Sequence, residues 1–365
     1  MRRKWPGYVL KHAIIWFFAF IFWALMREFG QDFTPEEMVG VTFIQRIRMH
    51  VALGVLAGLL FGSLEFAYER SFLRNIPFGR AVLISSLSYL ATILIFIIFG
   101  MHAFTKILGI ELNMEIFHEF MFSNEMILLV FYCFLVGLFI DLFKQIDKKF
   151  GPGNLWKMVK GEFYRPKEDE RIFMFLDLKS STAMAEWLGH LVYSRLIQEC
   201  FKDLEVVEVY GAEVYQYVGD EAVLTWPKEK GLENANCLRA YFAFVEQLAS
   251  RKEFYQKEFG AFPEFKAGLN VGKITIAEVG EIKREIAYHG DAINTAARIQ
   301  AKCNDFGERV LISENLERHL DRNGDFASSL VGGVLLKGKT ETLNIYSVSK
   351  VNSLSFKEPP RSMAS

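Results

Sequence analysis

Four long apolar segments in the first 147 residues of this 365-residue chain limit its fold more than any other feature. They run approximately from Tyr8 to Met26, Val51 to Tyr68, Ala81 to Phe104 and Met126 to Ile146. Each is close to the ~20 helical residues that cross a bilayer core of roughly 30 Å. Backbone in hydrocarbon must satisfy its own hydrogen bonds, so each is expected to be a helix. Arg2, Arg3 and Lys4 ahead of the first run would suit a secretory leader, but no small-residue cleavage site follows, so the segment is read as an anchor. Basic loops stay cytoplasmic. Arg2, Arg3, Lys4 and Lys11 mark the N-terminus, Arg70, Arg74 and Arg80 the second loop, and Lys144, Lys148 and Lys149 the end of the last span. The third loop sets Lys106 against Glu111, Glu115, Glu119 and Glu125, while Arg27, Arg46 and Arg48 leave the first loop without a clear sign. The pattern predicts a multi-pass protein of the cell (inner) membrane, embedded in the lipid bilayer, with both termini cytoplasmic.

His12, His50, His102 and His118 fall at membrane level or in the outer loops. In this topology the last three lie toward the outer face, where imidazoles between helices could bind haem or a metal. The plainer alternative is polar residues at helix ends in the interface.

Beyond residue 147 apolar residues alternate with charged ones, as in a soluble domain. The expected division is a membrane domain over 1–147, a linker over 148–167, a soluble domain over 168–350 and a flexible tail over 351–365. Gly151, Pro152 and Gly153 stop the last membrane helix. Leu155, Trp156, Met158 and Val159 then form a short amphipathic piece, in which Trp156, Lys157 and Lys160 either lie along the membrane surface or make a connector turn. A net charge of -1 gives no whole-chain attraction to nucleic acid, which normally needs a basic stripe or patch, so no nucleic-acid partner is expected. Cys133, Cys200, Cys237 and Cys303 show no paired spacing and read as reduced core thiols.

Within the soluble half, residues 171–178 read as a buried strand ending in Asp177, and Ser180, Ser181 and Thr182 open an amphipathic helix running to about Val209. Residues 213–218 and 222–226 read as strands joined tightly through Gly219 and Asp220. A helix over about 232–259 follows, then a strand pair over 265–279 with a turn at Gly272, a helix from Gly290, and short strands at 309–312, 334–337 and 344–348. This order predicts an α+β fold with helices on one face of a sheet, as in ferredoxin-like folds. If the first strand and the hairpin are neighbours, Asp177 and Asp220 reach one spot, where hard oxygen ligands suit magnesium held between protein and phosphates. Ser180, Ser181 and Thr182 at the helix start would cradle those phosphates. Taken singly, Asp177 also reads as a helix N-cap and Asp220 as a turn former.

FLDLKSST (175–182), YQYVGDEAVLTW (215–226), HGDAINTAARIQ (289–300) and LKGK (336–339) occur in the order seen in class III nucleotidyl cyclases, which this half of the chain resembles over about 168–350. The resemblance implies that Asp177 and Asp220 bind two Mg²⁺ or Mn²⁺ ions per site. It implies that Asn294 and Arg298, at i, i+4 on one helix face, orient the ribose and stabilise charge at the α-phosphate. Lys337 would hold the terminal phosphates, and Arg309 is a weaker match to another phosphate contact. In this family the carboxylates and the Asn/Arg pair come from different catalytic domains, which implies a two-fold homodimer with two equivalent sites.

Two positions depart from the family pattern. Gln216 stands where adenine-selective members have Lys, and Ala287 where they have Asp or Thr; guanine-selective members have Glu and Cys there. A Gln offers a donor and an acceptor to either purine. ATP is the expected substrate on the frequency of adenylate cyclases, with GTP left open by the chemistry. The metal loop reads DLKSST where a Gly-Phe-Thr ending is commoner. VGDEAVL also resembles the GGDEF signature of diguanylate cyclases, although Val218 replaces its first Gly and the NTAAR and KGK blocks have no role there. A third reading is a membrane sensor whose cyclase-like domain binds nucleotide without turning it over.

Overall fold

A computed structural model describes residues 4–29, 43–71, 78–108, 114–151, 153–320, 324–335 and 342–351. The chain forms two compact units, Met1–Lys149 and Phe150–Ser365.

The first unit is helical: α1 (Lys4–Phe29), α2 (Phe43–Ser71), α3 (Phe78–Leu108), α4 (Met114–Met121) and α5 (Asn124–Phe150). Among the described residues three stretches, Trp5–Arg27, His50–Ala67 and Asn124–Phe150, are long and apolar enough to cross a membrane; Leu83–Phe99 in α3 is a shorter apolar stretch. The short α4 has no counterpart in the sequence reading. Gly54, Gly58 and Gly62 let α1 and α2 pack backbone to backbone: a Cβ at Gly58 would sit 2.3 Å from Ala13 Cα, and one at Gly62 2.8 Å from Val9 Cα. Small residues every fourth position are the usual means of close helix approach in lipid. Trp16 stacks on Phe61 with ring centroids 4.7 Å apart, and Phe61 meets Tyr89 at 5.0 Å. Phe18, Phe22, Ile95, Leu128 and Phe139 point outward, as lipid-facing residues should. His12 and His50 are buried within the unit, His118 is exposed beside Phe122 in the segment after α3, and the side chain of His102 lies outside the described residues.

The second unit begins with α6 (Asn154–Val159) and β1 (Lys167–Leu178), then α7 (Ser181–Leu188), α8 (His190–Asp203) and a 3₁₀ turn (Leu204–Tyr210). The hairpin β2 (Glu213–Val218) and β3 (Glu221–Pro227) leads to α9 (Lys228–Leu232), α10 (Asn236–Ser250) and α11 (Lys252–Phe259). After them come β4 (Phe265–Val279), β5 (Glu285–His289), α12 (Asp291–Ala301), α13 (Cys303–Phe306), β6 (Val310–Ser313), α14 (Glu314–His319), β7 (Phe326–Leu335) and β8 (Thr342–Lys350). The sheet order is β2-β3-β1-β4-β6-β8-β7, with β5 paired to β4. Each neighbouring pair in β2-β3-β1-β4 is antiparallel, the ferredoxin-like arrangement, and β6 joins β4 in parallel.

The period-2 alternation of β1 divides the core between two faces. Ile172, Met174 and Leu176 pack with Leu196, Cys200, Tyr241 and Phe244 of the crossover helices. Phe173 packs instead with Val223, Ile274, Ala292 and Ala296, so α12 lies on the opposite face. The expectation of helices on one face therefore holds for the ferredoxin-like core, and α12 is the exception. All four cysteines are buried and unbridged. Buried Asp203 ties α8 to α10 and α11 by accepting from Arg251 (2.8 and 2.9 Å) and from the Tyr255 hydroxyl (2.7 Å).

Three expected elements differ. The helix expected over 180–209 breaks at Gly189 (φ 73°) and ends as a 3₁₀ turn, and the helix expected over 232–259 breaks at Arg251. Gly272 is no turn, because β4 runs unbroken from Phe265 to Val279. Its role is close approach: a Cβ there would lie 2.9 Å from Ala292 Cβ, and one at Gly268 only 2.1 Å from Gln300 N. Both glycines seat α12 on β4.

Candidate active site

Asp177 stands near the end of β1, opposite Glu221 on β3 and Lys266 on β4. Residues directly opposed in a sheet share a face, so all three point to the α12 side. Asp177 Oδ2 accepts from Gln300 Nε2 of α12 at 3.0 Å and pairs with Lys266 Nζ at 3.1 Å. Asp177 is not the N-cap of the following helix. That position is Ser180, held in the left-handed region at φ 57° with no capping hydrogen bond from its side chain. A non-glycine residue there carries local strain, and it sets the α7 start, with Ser181 and Thr182, directly after the carboxylate.

Gly219 and Asp220 form the two-residue turn between β2 and β3, in which Gly219 takes φ 62°. The turn brings Asp220 next to Glu221 and hence to the Asp177 end of the sheet. Asp220 Oδ2 is buried and has no hydrogen-bond partner among the described residues. A buried acceptor left open is costly unless a cation or water fills it. The local charge agrees: the Glu221 carboxyl is pushed up to about 7 by burial first, then by the charges of Asp177 and Asp220, with Lys266 acting the other way. Tyr193 of α8 lies beside Ser181 and Asp220, and its phenol is raised to about 12, chiefly by burial and next by the Asp220 charge. Among the described residues no three acidic, His or Cys side chains form a ready cation cage. Magnesium needs none, since it is commonly held by one or two carboxylates together with substrate phosphates.

Because Glu221 holds its proton more tightly folded than unfolded, the metal-free protein should lose stability as pH rises from the ordinary carboxyl range through about 7. Chemical denaturation at a series of pH values should show that slope, and Glu221→Gln should flatten it. A variant with the wild-type slope would mean that Glu221 is not the buried proton site.

Asn294 is exposed and Arg298 half-buried on α12, and neither forms a hydrogen bond or ion pair among the described residues. They do not meet Asp177 within this chain; Gln300, from the buried side of α12, does. Gln216 is exposed on β2, just after the bulge at Tyr215, and Ala287 lies on β5 opposite Ala277. Their neighbours Tyr215 and Tyr288 hold the two strands together, with ring centroids 4.6 Å apart. Arg309 is engaged with Glu264 at 3.0 Å, beside the start of β4. Lys337 lies outside the described residues. The sequence reading gave no role to Lys266, Gln300, Glu221 and Tyr193: Glu221 and Gln300 stand inside the YQYVGDEAVLTW and HGDAINTAARIQ blocks, where they could have been singled out, while Lys266 and Tyr193 belong to no motif.

The family described as "Adenylate and Guanylate cyclase catalytic domain" matches residues 163–350, just over half of the chain. Adenylate cyclase 2 of Rhizobium meliloti is 34% identical over 193 residues, 53% of this chain and 53% of that protein. The adenylate cyclase of Anabaena cylindrica is 25% identical over 183 residues, 48% of this chain and 36% of its own length. The chain thus spans about half or less of the curated relatives it matches. Among solved structures, a bacterial light-regulated adenylyl cyclase superposes with a TM-score of 0.52 at 18% identity, covering 62% of this chain and 65% of that one, a likeness of fold.

Proposed function

Because the chain belongs to the adenylate and guanylate cyclase catalytic domain family, we propose that it is a membrane-bound adenylate cyclase working at sites shared by two copies. The observation that carries this reading is the division of polar groups about α12. Asp177 and the open Asp220 Oδ2 gather on one side, whereas exposed Asn294 and half-buried Arg298 make no hydrogen bond to them and have no partners among the described residues. A site with only the first set lacks any group for the α-phosphate. A second copy supplies it.

In the reaction the ribose 3′-oxygen forms a bond to the α-phosphorus, the bond to pyrophosphate breaks, and the 3′-hydroxyl proton is lost. Mg²⁺ or Mn²⁺, two per site, fits the donors Asp177 and Asp220 and would supply Lewis-acid activation of the hydroxyl and charge neutralisation at the triphosphate. Arg298 stabilises the charge that grows at the α-phosphate, and Asn294 fixes the ribose so that the 3′-oxygen is in line; both effects come from positioning before reaction. Lys266, already beside Asp177, joins Ser180, Ser181, Thr182, Arg309 and Lys337 in holding the phosphates. Gln216, exposed beyond Tyr215, meets the purine edge as donor and acceptor, with Ala287 leaving the facing position without a polar group. Adenine is favoured by the relatives named adenylate cyclases. With both termini cytoplasmic in the inner membrane, the second unit would lie where nucleoside triphosphates are.

The test incubates the full chain, in membranes, with ATP or GTP and Mg²⁺ or Mn²⁺, and separates products by chromatography. The expected product is 3′,5′-cyclic AMP in clear excess over cyclic GMP. Cyclic GMP in excess would reassign the base. No cyclic nucleotide under any condition would end the enzymatic reading in favour of a nucleotide-binding sensor.

A further inference from the structure

Inside the first unit, one carboxylate is met from all three of the other long helices. Glu65 of α2, 6% exposed, pairs with His12 Nε2 of α1 and with Lys144 Nζ of α5, and accepts from the Tyr89 hydroxyl of α3 at 3.0 Å. A second carboxylate, Asp141, also 6% exposed, lies one turn from Lys144 on α5; Ser85 of α3 bonds to it and the charge of His12 reaches it. Its Oδ2 is buried without a partner among the described residues. One turn beyond Lys144, Lys148 is exposed and Asp147 half-buried, and their opposite charges cancel in the count. Each of these groups lies in or one turn from an apolar stretch of its helix.

Charge counting in this set has one solution. Two ionised carboxylates and one ammonium leave a single negative charge. Isolated charge in a low-dielectric, lipid-surrounded interior is costly, and such groups persist there by neutralising one another. We propose that the helical unit carries a binding site for one proton, held among His12, Glu65 and Asp141, whose occupancy is needed for the helices to pack. This rests on the helices spanning a bilayer and is independent of the reaction of the second unit. His12, paired with Glu65 and near enough for its charge to act on Asp141, is the natural carrier, and Asp141 is the group whose open oxygen takes the proton when His12 cannot. Proton loss then breaks a contact that ties α1, α2, α3 and α5 together.

The test uses the full chain in lipid nanodiscs and follows labelling of Cys133, 3% exposed in the same unit, by peptide mass, each rate normalised to unfolded protein at the same pH. Wild type should lose protection by about a hundredfold or more as pH rises across roughly 6 to 9. Asp141→Asn leaves Glu65 and Lys144 balanced without the proton, so its protection should be pH-independent. His12→Gln should lose protection at lower pH than wild type, and adding Asp141→Asn to it should restore protection. That rescue separates a missing charge from a missing side chain. A pH-dependent Asp141→Asn variant, or a double variant no better protected than His12→Gln, would overturn the proposal. Neither variant touches the groups of the cyclase site, so cyclic nucleotide formation bears on neither outcome.

Discussion

Asp177→Ala and Arg298→Ala should each lower cyclic nucleotide formation by about a thousandfold, and equal mixtures of the two should recover about a quarter of wild-type activity. The single losses follow from removing a charge-stabilising group from a preorganised site, which costs on the order of 10²–10³ in rate, and more where a metal ligand is lost. The recovery follows from symmetry. In a two-fold dimer with shared sites, random exchange gives about half mixed dimers, and each has one site with both Asp177 and Arg298 intact. The unpartnered Arg298, set against an Asp177 already engaged by Gln300 and Lys266, predicts this result. Mixed variants that are folded, dimeric and still inactive would mean that each chain builds its own site, and that α12 must move to bring Arg298 to Asp177.

Gly268→Ala should be among the most damaging single-methyl changes in the second unit. The added Cβ would lie 2.1 Å from Gln300 N and 2.7 Å from Ala296 O, which are backbone atoms that no rotamer change can move aside. Overpacking of this kind costs about 3 kcal/mol, the upper end of its usual range, and α12 must lift from β4 to relieve it. The expected result is a lowered denaturation midpoint together with a fall in kcat that exceeds the loss of folded protein, since Gln300, Asn294 and Arg298 all ride on the displaced helix. Gly272→Ala meets Ala292 Cβ at 2.9 Å, an atom as rigidly held but farther away, and should cost less. Equal stability for Gly268→Ala and wild type would show that α12 does not need this contact.

Much of this arrangement was legible in the sequence where its cause is local. The hairpin through Gly219 and Asp220 needs only a glycine able to take a positive φ, and the strand ending in Asp177 shows in its run of apolar residues. The ferredoxin-like order follows from the succession of such elements. What escaped depends on distant partners. Gly272 reads as a turn because isolated glycines in strands often mark one; its reason lies in Ala292, twenty residues on. The face taken by α12 is likewise set by Gly268 and Asn270, whose amide donates to Ala292 O at 3.0 Å, and not by the helix's own periodicity. The break at Arg251 is fixed by Asp203, which accepts from Arg251 and Tyr255 across the fold, and the break at Gly189 by that residue's positive φ. Gly54, Gly58 and Gly62 were passed over for the same reason: in an apolar run they raise no hydropathy signal, and their spacing acquires meaning only against α1.

Gln300 fastens α12 to Asp177, and in the proposed dimer Asn294 and Arg298 on the same eleven-residue helix serve the other copy. One rigid rod would then belong to two catalytic centres at once. When a triphosphate draws Asp177 and Lys266 toward itself, the tug on Gln300 is relayed along the rod to the arginine working on the neighbour's nucleotide. A dimer built this way has no independent halves: the centres must tighten in concert or by turns, and substrate saturation curves for such a pair should depart from a simple hyperbola.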